Sequence, residues 1–191
     1  MSSPVPARPP TREELASGYD VTLPDLVGPG LRVLLVGINP SLYSAVTGNH
    51  FGRPSNRLWE VLWRSGLTSR RLQPHEQGTL LAEGIGVTNV VARATARADE
   101  LSDDEIRAGL PALARRVTRW QPRTVAVLGI GAWRTATGRR DAQLGPQPDA
   151  LGGRPVWVLP NPSGLNAHYQ VPDLVRLYGG LAAATAAAVA S

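Results

Sequence analysis

The chain has 191 residues, no cysteine and a formal net charge of +5, and hydrophobic residues make up 42% of it. This length and apolar content predict one compact domain with its own core. The absence of cysteine excludes disulfides, thiolate metal ligands and a thiol nucleophile. All 20 basic residues are arginines because the sequence contains no lysine, which excludes a lysine Schiff base and a Walker-type phosphate loop.

The first 20 residues are rich in Pro, Ser and Arg and lack the apolar run of a secretion signal. We expect residues 1–20 to form a flexible tail and residues 21–191 to form the single folded domain. No stretch of about 18 apolar residues is present, so we expect no transmembrane helix and no membrane partner. A cytoplasmic location follows as an expectation.

Four short apolar runs, bounded by Gly, Pro or Asn, have the form of buried parallel strands: 31–38, 86–91, 124–130 and 155–159. Helical patterns cover 56–64, 74–82, 102–120 and 172–189, and a capping box of Ser102 and Glu105 opens the third. Pro111 is expected to kink or restart that helix. The alternation predicts a single three-layer α/β/α domain around a central, mostly parallel sheet of four to five strands.

Asparagines stand at the ends of three of the four predicted strands. Asn39 follows the first strand, Asn89 lies at the end of the second, and Asn161 follows the fourth. Ligands of open parallel sheets bind beyond the carboxyl ends of the strands, so these residues mark a candidate site. Side-chain amides can orient a water and hydrogen-bond a heterocycle, but they cannot act as strong general bases.

The segments around these strand ends carry a family resemblance. They read GINPSL at 37–42, Phe51 followed by PSNRLW at 54–59, GVTN at 86–89 and LPNPSGL at 159–165. In this order they resemble the mismatch-specific uracil/thymine DNA glycosylases, a branch of the uracil-DNA glycosylase superfamily. The resemblance runs from about residue 31 to about residue 178.

The resemblance implies a monofunctional DNA glycosylase acting in base excision repair. Such an enzyme flips uracil, or thymine or another damaged pyrimidine, out of mismatched duplex DNA and hydrolyses its N-glycosidic bond, leaving an abasic site. The implied partner is double-stranded DNA with a G·U or related mismatch, bound by a monomer at the bacterial nucleoid. No cofactor and no metal is implied. Without any lysine, strand cleavage through a lysine imine is not expected.

The resemblance also assigns roles to individual residues. Asn39 matches the catalytic asparagine that positions the attacking water, and Phe51 matches the aromatic ring that stacks on the flipped base. Asn89 matches a residue that hydrogen-bonds the pyrimidine, Ser44 a position close to the base C5, and Leu165 the wedge that fills the gap in the duplex. The remaining matches are Gly37, Ile38 and Asn161 in the base pocket and Ser163, Gly164 and Asn166 on DNA.

Two features concern DNA contacts outside these motifs. Ala167 stands two residues after the wedge, where some family members have an arginine near the opposing base. Arginines close to the motifs in sequence are candidates for phosphate contacts: Arg53, Arg57, Arg93, Arg97, Arg139 and Arg140.

Two other functions remain open on the sequence. Gly129 and Gly131 follow a strand and resemble the beginning of a dinucleotide-binding fingerprint, although Arg134 occupies the place of its third glycine. That pattern would make the chain a nucleotide-binding α/β domain. A non-catalytic mismatch-binding protein of the same fold is the second alternative, although such a binder does not need the amide of Asn39.

Overall fold

The computed structural model describes residues 8–187. Twelve labels cover their regular elements in chain order: α1 (Arg12–Ala16), β1 (Val33–Gly37), α2 (Leu42–Thr47), α3 (Leu58–Arg64), α4 (Thr79–Ala82), β2 (Ile85–Asn89), α5 (Asp103–Trp120), β3 (Thr124–Leu128), α6 (Ile130–Thr137), β4 (Gly145–Pro146), β5 (Val156–Leu159) and α7 (Val171–Ala187). Short 3-10 helices cover Pro74–Glu76 and Ala98–Glu100.

The sheet has five strands in the order β2-β1-β3-β5-β4. The first four strands of that order are parallel, and β4 pairs antiparallel with β5 at the edge. This confirms the predicted mostly parallel sheet of four to five strands. The edge strand β4 was not predicted, because two residues without an apolar run give no strand pattern.

Alternate residues of each strand enter the two cores that sandwich the sheet. In β1, Val33 and Leu35 belong to one core, while Leu34 and Val36 belong to the other. The first core is closed by α3, α4 and α7, and the second by α5 and α6. The helices therefore cover both faces, and the carboxyl ends of β1, β2, β3 and β5 meet at one edge of the sheet.

Helix α5 runs unbroken through Pro111, so the expectation that this proline restarts the helix is wrong. Pro111 itself is exposed, while Ile106 before it and Leu113 and Val117 after it are buried in the same core. Packing of this single stripe on the sheet outweighs the one backbone hydrogen bond that proline removes.

The amino-terminal part of the described chain contains α1, which begins with a capping box between Thr11 and Glu14. Further along, the Asp20 amide donates to the Ala94 carbonyl over 3.1 Å. The division into a tail and a domain at residue 20 stays a prediction. Residues 188 and 189 of the expected last helix lie outside the described residues, and within 8–187 no helix is long and apolar enough to cross a bilayer.

Candidate active site

A cavity of about 420 Å³ opens at the carboxyl ends of β1, β2 and β5. It is lined by every site residue assigned from the sequence except Gly164: Gly37, Ile38, Asn39, Ser44, Phe51, Asn89, Asn161, Ser163, Leu165 and Asn166. The fold therefore brings together motifs that are more than a hundred residues apart in the chain. Sequence analysis did not assign five other polar residues on the wall: Ser41, His50, Asn56, Thr95 and Asp99.

The side chain of Asn39 has a defined orientation. Its Nδ2 donates to the Arg93 carbonyl over 3.0 Å and to Thr95 Oγ1 over 2.8 Å. A carbonyl only accepts, so the NH₂ end of the amide must face Arg93. Both Nδ2 hydrogens are then used, and no residue within 8–187 donates to Oδ1. Asn39 thus offers the cavity a free acceptor of the kind that can hold a water molecule.

The residues that hold Asn39 come from the chain beyond β2, which continues alongside the first motif. The Thr95 amide donates to the Pro40 carbonyl, and the Leu42 amide donates to the Thr95 carbonyl, each over 3.2 Å. The Thr95 hydroxyl donates to the Arg97 carbonyl over 2.7 Å, so its oxygen is left to accept from Asn39. Thr95 therefore fixes both the place and the orientation of the Asn39 amide.

Phe51 lies in a strained backbone conformation with φ at 50°, in the left-handed region. Such strain costs about 1–3 kcal/mol for a residue other than glycine, and it clusters at functional sites. Two contacts hold the main chain there: Trp59 Nε1 donates to the Phe51 carbonyl over 3.2 Å, and the Gly52 amide donates to Ser44 Oγ over 3.1 Å. Ser44 is 2% exposed, so its hydroxyl serves this loop as well as lining the cavity.

Asn89 is 7% exposed, and its side-chain amide has no hydrogen-bond partner among the described residues. A Cβ built on Gly37 would lie 2.5 Å from Asn89 Oδ1 and 3.4 Å from Phe51 Cζ. The absence of a side chain at position 37 is thus what allows the amide and the ring to approach the same point. The amide of Asn89 therefore faces the cavity with its donors and its acceptor available to a polar ligand.

Helix α5 anchors the backbone of Asn89 from behind. Arg116 donates from Nη1 to Thr88 Oγ1 over 2.7 Å and from Nη2 to the Asn89 carbonyl over 2.8 Å. The same guanidinium pairs with Asp25 at 3.3 Å and lies 5.9 Å from the ring centre of Trp120. The carboxyl end of β2 is therefore fastened to helix α5, none of whose residues lines the cavity.

Asn161 opens the loop that carries the exposed Leu165. The Oδ1 of Asn161 accepts from the Ser163 amide over 2.9 Å, and its carbonyl accepts from Asn166 Nδ2 over 3.0 Å. The Asn161 Nδ2 has no partner in the described residues and remains available to a ligand in the cavity. Leu165 is 67% exposed and lines the cavity.

His50 is buried on the cavity wall at 3% exposure. Its Nε2 lies 2.9 Å from the Pro24 carbonyl, which requires the hydrogen to be on Nε2. Burial lowers the pKa of His50 below its ordinary value, against smaller raising effects of the Pro24 carbonyl and Asp25. Burial thus favours the neutral form of the ring. Position 50 gave no signal in sequence, because an isolated histidine has no pattern around it.

The arginines expected to contact phosphate divide into two groups. Arg93 pairs with Glu105 at 2.6 Å, and this bond is the main cause that lowers the pKa of Glu105 to about 2. Arg97 pairs with Asp99 at the cavity rim, and Arg139 pairs with Asp149. Arg57 donates to main-chain carbonyls instead. In contrast, Arg53 lines the cavity, and it and Arg140 form no ion pair with any described residue.

The polar lining is made of amides, hydroxyls, His50 and the charged side chains of Arg53, Arg97 and Asp99. Residues 8–187 hold no group of three or more side chains that could bind a metal ion together. Gly129 and Gly131 open α6 away from the lining, and a Cβ on Gly129 would lie 3.3 Å from Ile38 Cδ1. The packing around Gly129 therefore favours an internal contact over a dinucleotide phosphate site.

Comparison with known proteins gives two findings. The family model of the uracil DNA glycosylase superfamily matches residues 24–178. A solution NMR structure of a candidate uracil DNA glycosylase from Methanosarcina acetivorans shares the fold with a TM-score of 0.55. The two chains are 18% identical, and the match covers 84% of this chain and 99% of that chain. Every segment that lines the cavity beyond Leu23 falls inside the matched range.

Proposed function

The chain belongs to the uracil DNA glycosylase superfamily, and from that premise we propose that it is a monofunctional, mismatch-specific DNA glycosylase. It flips uracil, or thymine or another damaged pyrimidine, out of a mispaired duplex and hydrolyses the bond between the sugar C1′ and the base N1. The product is an abasic site plus the free base. Residues 21–191 form the glycosylase domain, which acts on DNA as a monomer.

The observation that carries this proposal is the fixed amide of Asn39. Its NH₂ end is bound by Arg93 and Thr95, and its Oδ1 is free at the cavity. An acceptor held in advance aligns a water without further ordering in the transition state, which is how positioning lowers a barrier. A protein that only binds mismatched DNA has no use for such an acceptor.

In the reaction, the C1′–N1 bond breaks and its electron pair leaves with the base. The sugar develops positive charge, and the water on Asn39 Oδ1 forms the new bond to C1′ and releases a proton to solvent. Asn39 orients the water and does not accept the proton, because an amide has no useful pKa. The lack of a carboxylate at this position predicts modest turnover.

Base recognition is assigned to Asn89 and Phe51. The free amide of Asn89 offers one acceptor and two donors, which complement the N3–H and a carbonyl of uracil or thymine. A donor on that carbonyl also stabilises the departing anion, as donors do in an oxyanion hole. The Phe51 ring stacks on the flipped base, an interaction worth about 1–3 kcal/mol.

The preference for mismatches follows from the energy of base flipping. Extrusion costs a few kcal/mol and costs least for a mispaired base. Leu165, exposed at the tip of its loop, is placed to fill the gap that the base leaves. Since this loop and the base pocket meet at one cavity, extrusion and hydrolysis occur at neighbouring positions.

A single-turnover assay tests the proposal on labelled G·U, A·U and G·T duplexes and on single-stranded DNA with one uracil. We expect alkali-dependent cleavage that is fastest for G·U. The G·T duplex tests whether the pocket beside Ser44 accepts the 5-methyl group of thymine. Cleavage without alkali would contradict the monofunctional assignment, and the absence of any abasic product would contradict glycosylase activity.

Asn39→Ala separates the enzyme from a mismatch-binding protein of the same fold. We expect it to lose at least about 100-fold in single-turnover rate, the size of effect typical of a lost positioning group. Binding to a G·U duplex, measured by gel shift, should stay within about threefold of wild type. Full activity of the variant would show that Asn39 does not hold the water.

A further inference from the structure

The loop of residues 162–169, here called the wedge loop, is hydrogen-bonded within itself. The Leu165 amide donates to Ser163 Oγ over 3.2 Å, and the Asn166 amide donates to the Ser163 carbonyl over 3.0 Å. The His168 amide donates to Asn166 Oδ1 over 3.2 Å. These bonds engage the main-chain amides of Leu165, Asn166 and His168. Several main-chain carbonyls of the loop remain able to accept further hydrogen bonds.

Those carbonyls converge on Arg57, which lies immediately before α3. Its guanidinium donates to the carbonyls of Pro162, Ser163, Asn166 and Tyr169 at distances of 3.3, 2.6, 3.0 and 2.6 Å. The Arg57 amide adds a fifth bond to the Pro162 carbonyl over 3.1 Å. One side chain therefore contacts both ends and the middle of the wedge loop.

This use of Arg57 differs from that of an arginine on a DNA surface. No carboxylate pairs with it in the described part of the chain, and Nε, Nη1 and Nη2 all donate to main-chain oxygens. Hydrogen bonds from a charged donor are about twice as strong as neutral ones. The side chain is partly buried and has too few unused donors to grip a phosphate as well.

The loop is also fixed by close contact with the segment before α3. A Cβ built on Gly164 would lie 2.5 Å from the Ser55 carbonyl oxygen and 2.9 Å from Ser55 Cβ. Main chain thus packs on main chain at this point. Between this contact and the Arg57 bonds, Leu165 projects at the tip with 67% of its surface exposed.

We propose that Arg57 is a positioning residue that holds the wedge loop in its DNA-inserting shape before DNA arrives. The loop is then preorganised, and Leu165 enters the duplex without first losing conformational freedom. This inference rests on the proposed glycosylase function. It assigns Arg57 to extrusion of the base from a duplex and not to hydrolysis of a base that is already unpaired.

The test compares two substrates in single-turnover assays: a G·U duplex and single-stranded DNA with one uracil. For Arg57→Gln we expect the duplex rate to fall about tenfold or more and the single-stranded rate to stay within about twofold, since only the duplex needs the wedge. Leu165→Ala should show the same selectivity. In the double variant the two losses should not add, because both act on one step.

Two further variants serve as controls. Arg57→Lys retains the charge but concentrates its donors on one nitrogen, and it should restore only part of the duplex rate. Arg64→Gln is the matched control, because Arg64 ends the helix that Arg57 precedes and its ion pair is with Glu60. It should leave both rates unchanged. Equal losses on both substrates for Arg57→Gln would overturn the inference.

Hydrogen exchange tests the positioning role without any activity. In Arg57→Gln, the amides of Leu165, Asn166 and His168 should exchange faster, while the amides of β1 and β3 keep wild-type rates. Unchanged exchange in the loop would overturn the inference even if duplex activity fell. A wild-type protein that releases no uracil from either substrate would instead refute the proposed function, a distinct outcome.

Discussion

At the scale of single residues, the site depends on which polar atoms already have a hydrogen-bond partner in the protein. The Asn39 amide has its hydrogens bound and its oxygen free, whereas the Asn89 amide has neither end bound by the described residues. The first therefore suits a fixed reactant such as water. The second suits a ligand that brings its own donor and acceptor, such as the edge of a pyrimidine.

Thr95 binds the amide of Asn39, whereas the amide of Asn89 has no such partner among the described residues. The hydroxyl of Thr95 can be removed by substitution with valine, which has nearly the same shape. Thr95→Val should lower the single-turnover rate on G·U about tenfold, because one Nδ2 hydrogen of Asn39 loses its acceptor. Thr95→Ser keeps the hydroxyl and should stay within about threefold of wild type. If the two variants fall equally, packing and not the hydroxyl explains the loss.

His50 predicts a pH dependence of stability. Its folded-state pKa is lowered from 6.5 by burial, so below about pH 6.5 the unfolded chain binds a proton that the folded chain does not. The melting temperature should therefore fall as the pH drops from 7 towards 5, because protonation of the histidine favours the unfolded chain. His50→Gln keeps a donor for the Pro24 carbonyl, and its melting temperature should depend less on pH. Identical pH profiles would contradict this role.

At the scale of elements, the four apolar strands were predictable because each combines an apolar run with Gly, Pro or Asn at its boundary, although the predicted ends of β2 and β3 lie two residues too far along the chain. The residues that support those ends were not predictable. Arg57 donates a hydrogen bond to Ser163, which is 106 residues away in the sequence, and Arg116 donates one to Asn89, which is 27 residues away. Their partners are main-chain carbonyls, which every residue possesses, so no residue pattern marks the pairing. Helix α6 was missed because its first residues continue the apolar run of β3.

Arg116 makes helix α5 responsible for the position of β2. Arg116→Leu should lower the free energy of unfolding by about 1–3 kcal/mol, because Asp25 and the Asn89 carbonyl lose a charged donor. Urea denaturation measures this change. Arg115→Leu is the control, since Arg115 is exposed and should change stability by less than about 0.5 kcal/mol. Equal stability of the two variants would show that the network contributes nothing.

At the scale of the whole molecule, a net charge of +5 does not describe how charge is distributed around the cavity. Arg93, Arg97 and Arg139 are balanced by carboxylates, and Arg57 is bound to the wedge loop. The arginines that carry no such partner therefore determine how strongly the protein responds to salt. Among those that line the cavity, this leaves Arg53 as the leading candidate for phosphate.

The salt dependence of DNA binding distinguishes arginines that contact phosphate from arginines that are bound within the protein. For a G·U duplex, the slope of log K against log salt should become less steep by about 0.9 in Arg53→Gln, the value for one lost phosphate contact. Arg57→Gln should keep the wild-type slope, because its guanidinium is directed at carbonyls. Fluorescence anisotropy over a range of salt concentrations measures both. A wild-type slope for Arg53→Gln would remove Arg53 from the DNA contacts.

The loop around Phe51 also has a consequence for how this enzyme can evolve. Neighbouring residues hold position 51 through its carbonyl and through the following amide, and none of these bonds involves the ring. The left-handed backbone disfavours branched and bulky side chains there, so a ring at position 51 is kept at a cost in backbone strain. Under the proposed function, an exchange of the ring would change the contact with the base while the bonds from Ser44 and Trp59 to the main chain remain. The contact with the base and the shape of the loop would then depend on different atoms of one residue.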